Sequence, residues 1–116
     1  MPRVRIFQVA YDPSLLRVRA EMLNHAGFQV SSALGNIQAR RELLANNEYD
    51  LVVVGWSTDD GARREMVCWV KQHFPYLRVI ALYGTGGHQI SEADFNSNSE
   101  NPEDWFLAVK RAAIAS

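Results

Sequence analysis

Residues 49–55 read Tyr-Asp-Leu-Val-Val-Val-Gly, and no other stretch limits the fold of this chain as tightly. Leu51, Val52, Val53 and Val54 are consecutive apolar residues, mostly β-branched, with no alternation. Such a strand is buried on both sides, as a central parallel strand is between two helical layers. In open parallel sheets, ligands and chemistry lie beyond the carboxyl ends of the strands, near the point where strand order reverses. Here that place falls to Gly55, which has no side chain, followed by a loop of Trp, Ser, Thr, Asp and Gly.

The rest of the chain alternates around this axis. Arg3 to Val9 is rich in Val, Ile and Phe and predicts a first strand; Asp12 as cap and Pro13 as first residue then open a helix. In that helix Leu15, Val18, Met22 and Ala26 share a face at helical spacing, with Leu16 and Leu23 alongside and Gly27 as the stop. Phe28 to Ala33 predicts a second strand. Asn36 to Asn47 predicts a second helix with a thin stripe of Ile37, Leu43 and Leu44, along which Arg40 and Arg41 lay their stems. Ala62 to Phe74 predicts a third helix with Met66, Val67, Val70 and Phe74 inward and Pro75 as its stop, and Leu77 to Leu82 a fourth strand. A short fifth strand is expected around Ala93 to Phe95. Asn101-Pro102-Glu103-Asp104 then starts a last helix, with Trp105, Phe106, Val109, Ala112 and Ala113 on its buried face. Only about ten residues separate the fourth and fifth strands, close to the minimum for a parallel crossover. The helix between them is therefore predicted to be one turn, Gln89 to Glu92, or missing.

This alternation predicts a doubly wound α/β fold: one domain over residues 1–116, a parallel five-stranded sheet in the flavodoxin-like order 2-1-3-4-5. Right-handed crossovers bring the carboxyl ends of strands one, three and four to one edge, where Ala10, Tyr11, Asp12, Gly55, Trp56 and Tyr83 are expected to meet. A formal charge of −1, with acids and bases interspersed, gives no field to hold a nucleic acid. The pairs Arg40-Arg41 and Arg63-Arg64 are expected on solvated helix faces, and the lone Cys68 as a buried, inert thiol. Neither a signal peptide nor a run of membrane length is present, which predicts a soluble cytoplasmic domain without a membrane partner.

Several segments together resemble the receiver domain of two-component response regulators. They are Asp12-Pro13-Ser14-Leu15-Leu16, Ala26-Gly27-Phe28-Gln29-Val30, Tyr49-Asp50-Leu51-Val52-Val53-Val54, Val79-Ile80-Ala81-Leu82 and Asn101-Pro102-Glu103. The resemblance implies a pocket with an acidic pair for Mg²⁺ after the first strand, where this chain has Ala10 and Tyr11 and only the next residue, Asp12, is acidic. It implies a phosphoaccepting Asp where this chain has Gly55, a Thr or Ser where it has Tyr83, and Lys-Pro where it has Asn98-Ser99. Asp60-Gly61 does match the family's Asp-Gly, in a loop about two residues shorter. Glycine supplies no nucleophile for phosphoryl transfer, and Mg²⁺ relies on carboxylates that Ala10, Tyr11 and Gly55 lack. The expectation is a pseudo-receiver: no cofactor, no Mg²⁺, no catalysis, and a pocket filled by Tyr11, Trp56 and Tyr83. Protein contact then carries the signal, through the face formed by the fourth helix, fifth strand and last helix, with Trp105 or Phe106 near it.

Other readings compete. Asp12, Asp59 and Asp60 could form a displaced metal cluster, against the simpler roles of helix cap and solvated loop. Ser57 or Thr58 could accept phosphate, though turn residues of this kind are ordinary there. Gly84-Thr85-Gly86-Gly87 could cradle a phosphate, but it lacks a Lys and the spacing of a phosphate loop. A small-molecule or nucleotide site lined by Tyr11, Trp56, Tyr83 and this loop is the alternative function. His25 and His88 have no paired ligand spacing, and His73 suits a helix C-terminus.

Overall fold

The computed structural model describes residues 3–114. Its elements are β1 (Arg5–Ala10), α1 (Pro13–His25), β2 (Gln29–Leu34), α2 (Asn36–Ala45), β3 (Leu51–Val54), α3 (Asp60–His73), β4 (Arg78–Tyr83), β5 (Phe95–Asn98) and α4 (Pro102–Ile114). The five strands form one parallel sheet in the order β2-β1-β3-β4-β5, as the alternation predicted. β3 is buried along its whole length, in accord with its unbroken apolar run.

Two apolar layers hold the helices to the sheet. Phe7, Val9, Val52, Val54, Val79 and Ala81 pack against Ala39 and Leu43 of α2 and Met66, Val67 and Val70 of α3. On the other face Ile6, Leu51, Val53, Ile80 and Leu82 meet Leu23 of α1 and Trp105, Val109 and Ala112 of α4. The predicted stops hold: Gly27, with φ of 100°, follows the end of α1, where an L side chain would be strained.

Two helix stripes are corrected. In α1 the buried residues are Arg19 and Leu23, while Val18 is 51% exposed and Ala26 lies on the surface. In α2 the buried pair is Ala39 and Leu43, and Ile37 and Leu44 face outward. Each helix docks through a narrow row at i, i+4 spacing, and these rows run beside the residues of highest hydropathy.

β5 also lies later than expected. Asp94 ends the approach to it, its Oδ2 accepting from the Val79 amide at 2.8 Å and from Lys71 Nζ at 2.9 Å. Among the described residues no helix forms between β4 and β5. Instead α3 staples the connection: Arg64 pairs with Glu92 and Lys71 with Asp94. Asn96 brackets the backbone of Ile90, accepting from its amide at 2.8 Å and donating to its carbonyl at 3.0 Å. Ile90 is fully buried among the α3-side core residues, so one side chain plugs the space beside α3 and no large apolar residue of this connection is left bare.

Candidate functional site

The carboxyl edge of the sheet is built by the ends of β1, β3, β4 and β5, and the parallel register sets Val9 beside Val54 and Tyr83 beside Asn98. Ala10, Gly55, Tyr83 and Asn98 therefore stand at one edge, with Tyr11, Asp12 and Trp56 in the loops just beyond. Asn98 Oδ1 accepts from the Glu100 amide at 2.8 Å, and the Tyr83 carbonyl accepts from the amide and hydroxyl of Ser99 at 2.9 and 3.2 Å.

The three heavy atoms nearest a Cβ on Gly55, outside its chain neighbours, belong to Arg19, Val9 and Ala10, and none to the Tyr11 or Tyr83 ring. Tyr11 packs against the α2–α3 layer, and its hydroxyl donates to Asn36 Oδ1 at 2.6 Å. Asn36 in turn donates to the Ala62 carbonyl at 2.9 Å, so Tyr11 ties α2 to the start of α3. Burial holds the Tyr11 phenol well above its ordinary pKa. Trp56 lies across Gly84, where a Cβ would fall 2.7 Å from ring atom Cε3 and 3.1 Å from Cδ2. Gly84 is thus a contact requirement: only a residue without a side chain lets the indole lie on the backbone.

What stands over Gly55 is a guanidinium. A Cβ built on Gly55 would lie 2.8 Å from Arg19 Nη1, and backbone atoms, led by the Val9 carbonyl oxygen at 3.1 Å, close its other side. Arg19 rises from the middle of α1 and is 4% exposed. Burial lowers its pKa to about 10, against the attraction of Asp12, and it stays charged at neutral pH. Among the described residues it makes no ion pair and no side-chain hydrogen bond.

The three aspartates at this edge have separate duties. Asp12 caps α1, its Oδ1 accepting from the amides of Ser14 and Leu15 at 2.8 and 3.1 Å. Asp59 caps α3, accepting from the Ala62 amide at 2.8 Å. Asp60 accepts from Arg63 at 3.0 Å and holds His88 Nδ1 at 2.5 Å, and these bonds, His88 first, draw its carboxyl below the usual range. No group of three or more His, Cys, Asp or Glu able to hold a metal exists among the described residues. Arg63, expected in solvent with Arg64, is 1% exposed. Its guanidinium bonds Asp60, the His88 carbonyl at 2.8 Å and the Leu82 carbonyl.

Neither Arg19 nor Arg63 was singled out from sequence as part of the edge. The signal was present for both. Arg19 lies four residues before Leu23, and Arg63 lies four before Val67, each inside the apolar row of its helix.

Two hollows flank these groups. One of about 420 Å³ is lined by Trp56 to Asp60 and Gly84 to Gly87, without Tyr11 or Tyr83. The other, about 450 Å³, lies between α1 and α4 and is lined by Glu21, Met22, His25, Ala26 and Phe106. Trp105 is core, 4% exposed, and only Phe106 reaches a surface, beside α1. Cys68 is half-buried, and desolvation raises its thiol pKa. His73 stacks on Trp69 with ring centroids 4.4 Å apart, at the end of α3.

No helix among the described residues is long and apolar enough to cross a membrane. No family model matches the sequence, and no curated protein matches it. Solved structures do. A response regulator receiver domain protein from Clostridium thermocellum superposes with a TM-score of 0.79 at 18% identity, over 95% of this chain and 94% of that one. The response regulator TrrA from Thermotoga maritima, in complex with Mg²⁺ and BeF, gives 0.80 at 21% identity, over 94% and 98%. A complex of the histidine kinase ThkA with TrrA gives 0.78 at 21% identity, over 94% and 97%. The chain thus has the fold of the response regulator receiver domains.

Proposed function

We propose that this chain is a non-catalytic receiver-like signalling module, of the two-component type, that has lost its phosphoacceptor and acts through protein contacts. The observation that carries this reading is the guanidinium of Arg19 over Gly55, at the position where the resemblance places an aspartate. A cation there repels a divalent ion, and the one acidic residue that follows β1, Asp12, spends an oxygen on the first amides of α1. The residues at this edge do not fit Mg²⁺, which takes near-ideal octahedral oxygen ligation. Incubation with acetyl phosphate and Mg²⁺ is expected to leave the intact mass unchanged. A phosphoryl adduct on Asp12 or Asp59 would instead establish a displaced acceptor.

The partner is a protein or a second copy of the chain, met on the face made by β5 and α4, where Leu107 and Ile114 of α4 stand exposed. Light scattering at high concentration tests the self-association arm, which a monomer mass throughout removes. Such a module works in the cytoplasm. A second reading, a small-molecule site, has the Trp56–Gly84 hollow behind it. Its lining carries Asp59 and Asp60 and no Lys or Arg, which favours an uncharged ligand over a nucleotide. A thermal shift with nucleosides and none with nucleotides would support it.

A further inference from the structure

Gly55 and Arg19 behave as one unit. Gly55 is buried at the end of β3, its amide bonded to the Val9 carbonyl at 2.8 Å, so its backbone is fixed. Of the three heavy atoms nearest the missing Cβ, outside its chain neighbours, the closest is Arg19 Nη1 at 2.8 Å and the other two belong to the backbone of Val9 and Ala10. The charge of Asp12 attracts Arg19, yet no hydrogen bond or ion pair joins the two, and Asp12 Oδ1 is held by two backbone amides. Arg19 has no hydrogen bond or ion pair among the described residues, and the close approach of its head is the one to Gly55, where the absent side chain leaves it room.

Resting on the reading above, we propose that Arg19 is a built-in cation that takes the place of an exchangeable divalent ion at this corner. The corner is then closed to metal by two residues, Gly55 and Arg19, and not by the loss of a carboxylate alone. A carboxylate returned to position 55 would meet the guanidinium and form an internal ion pair. Only when Arg19 is also removed would that carboxylate and Asp12 face a divalent ion together.

The test uses the full chain as wild type, Gly55→Asp, Arg19→Met and the double variant Gly55→Asp/Arg19→Met, with Mn²⁺ alone as the probe. Binding is followed by calorimetry and by quenching of tryptophan emission, since Trp56 adjoins the corner. Wild type and Arg19→Met are expected to show no binding, and the double variant to bind at least about tenfold more tightly than Gly55→Asp. Gly55→Asp binding as tightly as the double variant overturns the proposal, and so does a folded double variant that binds nothing. Mn²⁺ binding by the wild type overturns the pseudo-receiver reading itself. Should the double variant not fold, Gly55→Asp/Arg19→Gln takes its place. A cycle on the folding equilibrium then reads the ion pair directly: coupling of about tenfold between the new carboxylate and Arg19 is expected, and a cycle without coupling overturns the proposal.

Discussion

Two arginines are buried among the described residues, one on each side of the sheet, and they are buried for different reasons. Arg63 of α3 is 1% exposed and has a carboxylate and two carbonyls around it. Arg19 of α1 is 4% exposed and has no partner among the described residues. The first is a staple: it joins α3 to the β4–β5 connection, where no helix forms to cover the sheet. The second is a plug: it occupies volume that Gly55 vacates. Burial alone would not separate them. Their hydrogen bonds do: Arg63 bonds a carboxylate and two carbonyls, with its Nε left unpartnered, while Arg19 makes no hydrogen bond among the described residues.

The largest effect should come from Arg63→Met, which leaves the Asp60 carboxylate and the Leu82 and His88 carbonyls without their donor. A loss of about 1 to 3 kcal/mol in urea unfolding is expected, because the buried Leu82 carbonyl loses its donor. A loss below about 0.5 kcal/mol would end the description of Arg63 as a staple. Gly84→Ala ranks next. Its methyl would sit within 2.7 to 3.2 Å of three atoms of the Trp56 ring, and the indole must move. The expected cost is about 1 to 3 kcal/mol, with a shift in tryptophan emission, whereas unchanged emission would mean that the ring does not lie there.

Arg19→Met sharpens the comparison from the other side. Replacing an unpartnered buried cation by an apolar chain of similar length is expected to be neutral or to stabilise by about 1 kcal/mol. A loss as large as that of Arg63→Met would show that Arg19 has a partner and is a second staple. The smallest effect concerns pH. Asp60 titrates below the ordinary carboxylate range in the folded chain, so its contribution is complete above about pH 4 and fades as pH falls through its lowered pKa. Urea midpoints of wild type and Asp60→Asn should converge as pH drops below about 4, and curves that stay parallel would detach Asp60 from the staple.

The sheet order was legible because the pattern of apolar runs and turn residues leaves few topologies open. The unbroken Leu51–Val54 run placed the central strand, and Asp12-Pro13 and Asn101-Pro102 placed two helix starts. The shortness of the stretch after β4 allowed a helix of one turn or none, and among the described residues none forms. The side-chain content of the edge was much less legible. Val18 and Ile37 have the hydropathy of core residues yet are 51% and 72% exposed, while Arg19 and Arg63 sit in the buried rows. Hydropathy ranks residue types, but a helix row is fixed by angle, and a long side chain can cross a layer to fill space that a glycine leaves elsewhere. Gly55 was read as a missing nucleophile. Its second meaning, room for a guanidinium from α1, depends on packing between elements far apart in sequence.

A module that signals without phosphorylation requires that corner to be shut. The most direct test is titration of the wild-type chain with Mg²⁺ and beryllofluoride, followed by NMR at the Gly55 amide and the Trp56 indole. We predict that neither resonance shifts at any concentration. A saturating shift of the Gly55 amide that requires both additives would show a corner open to metal and phosphoryl mimic, and would contradict the account.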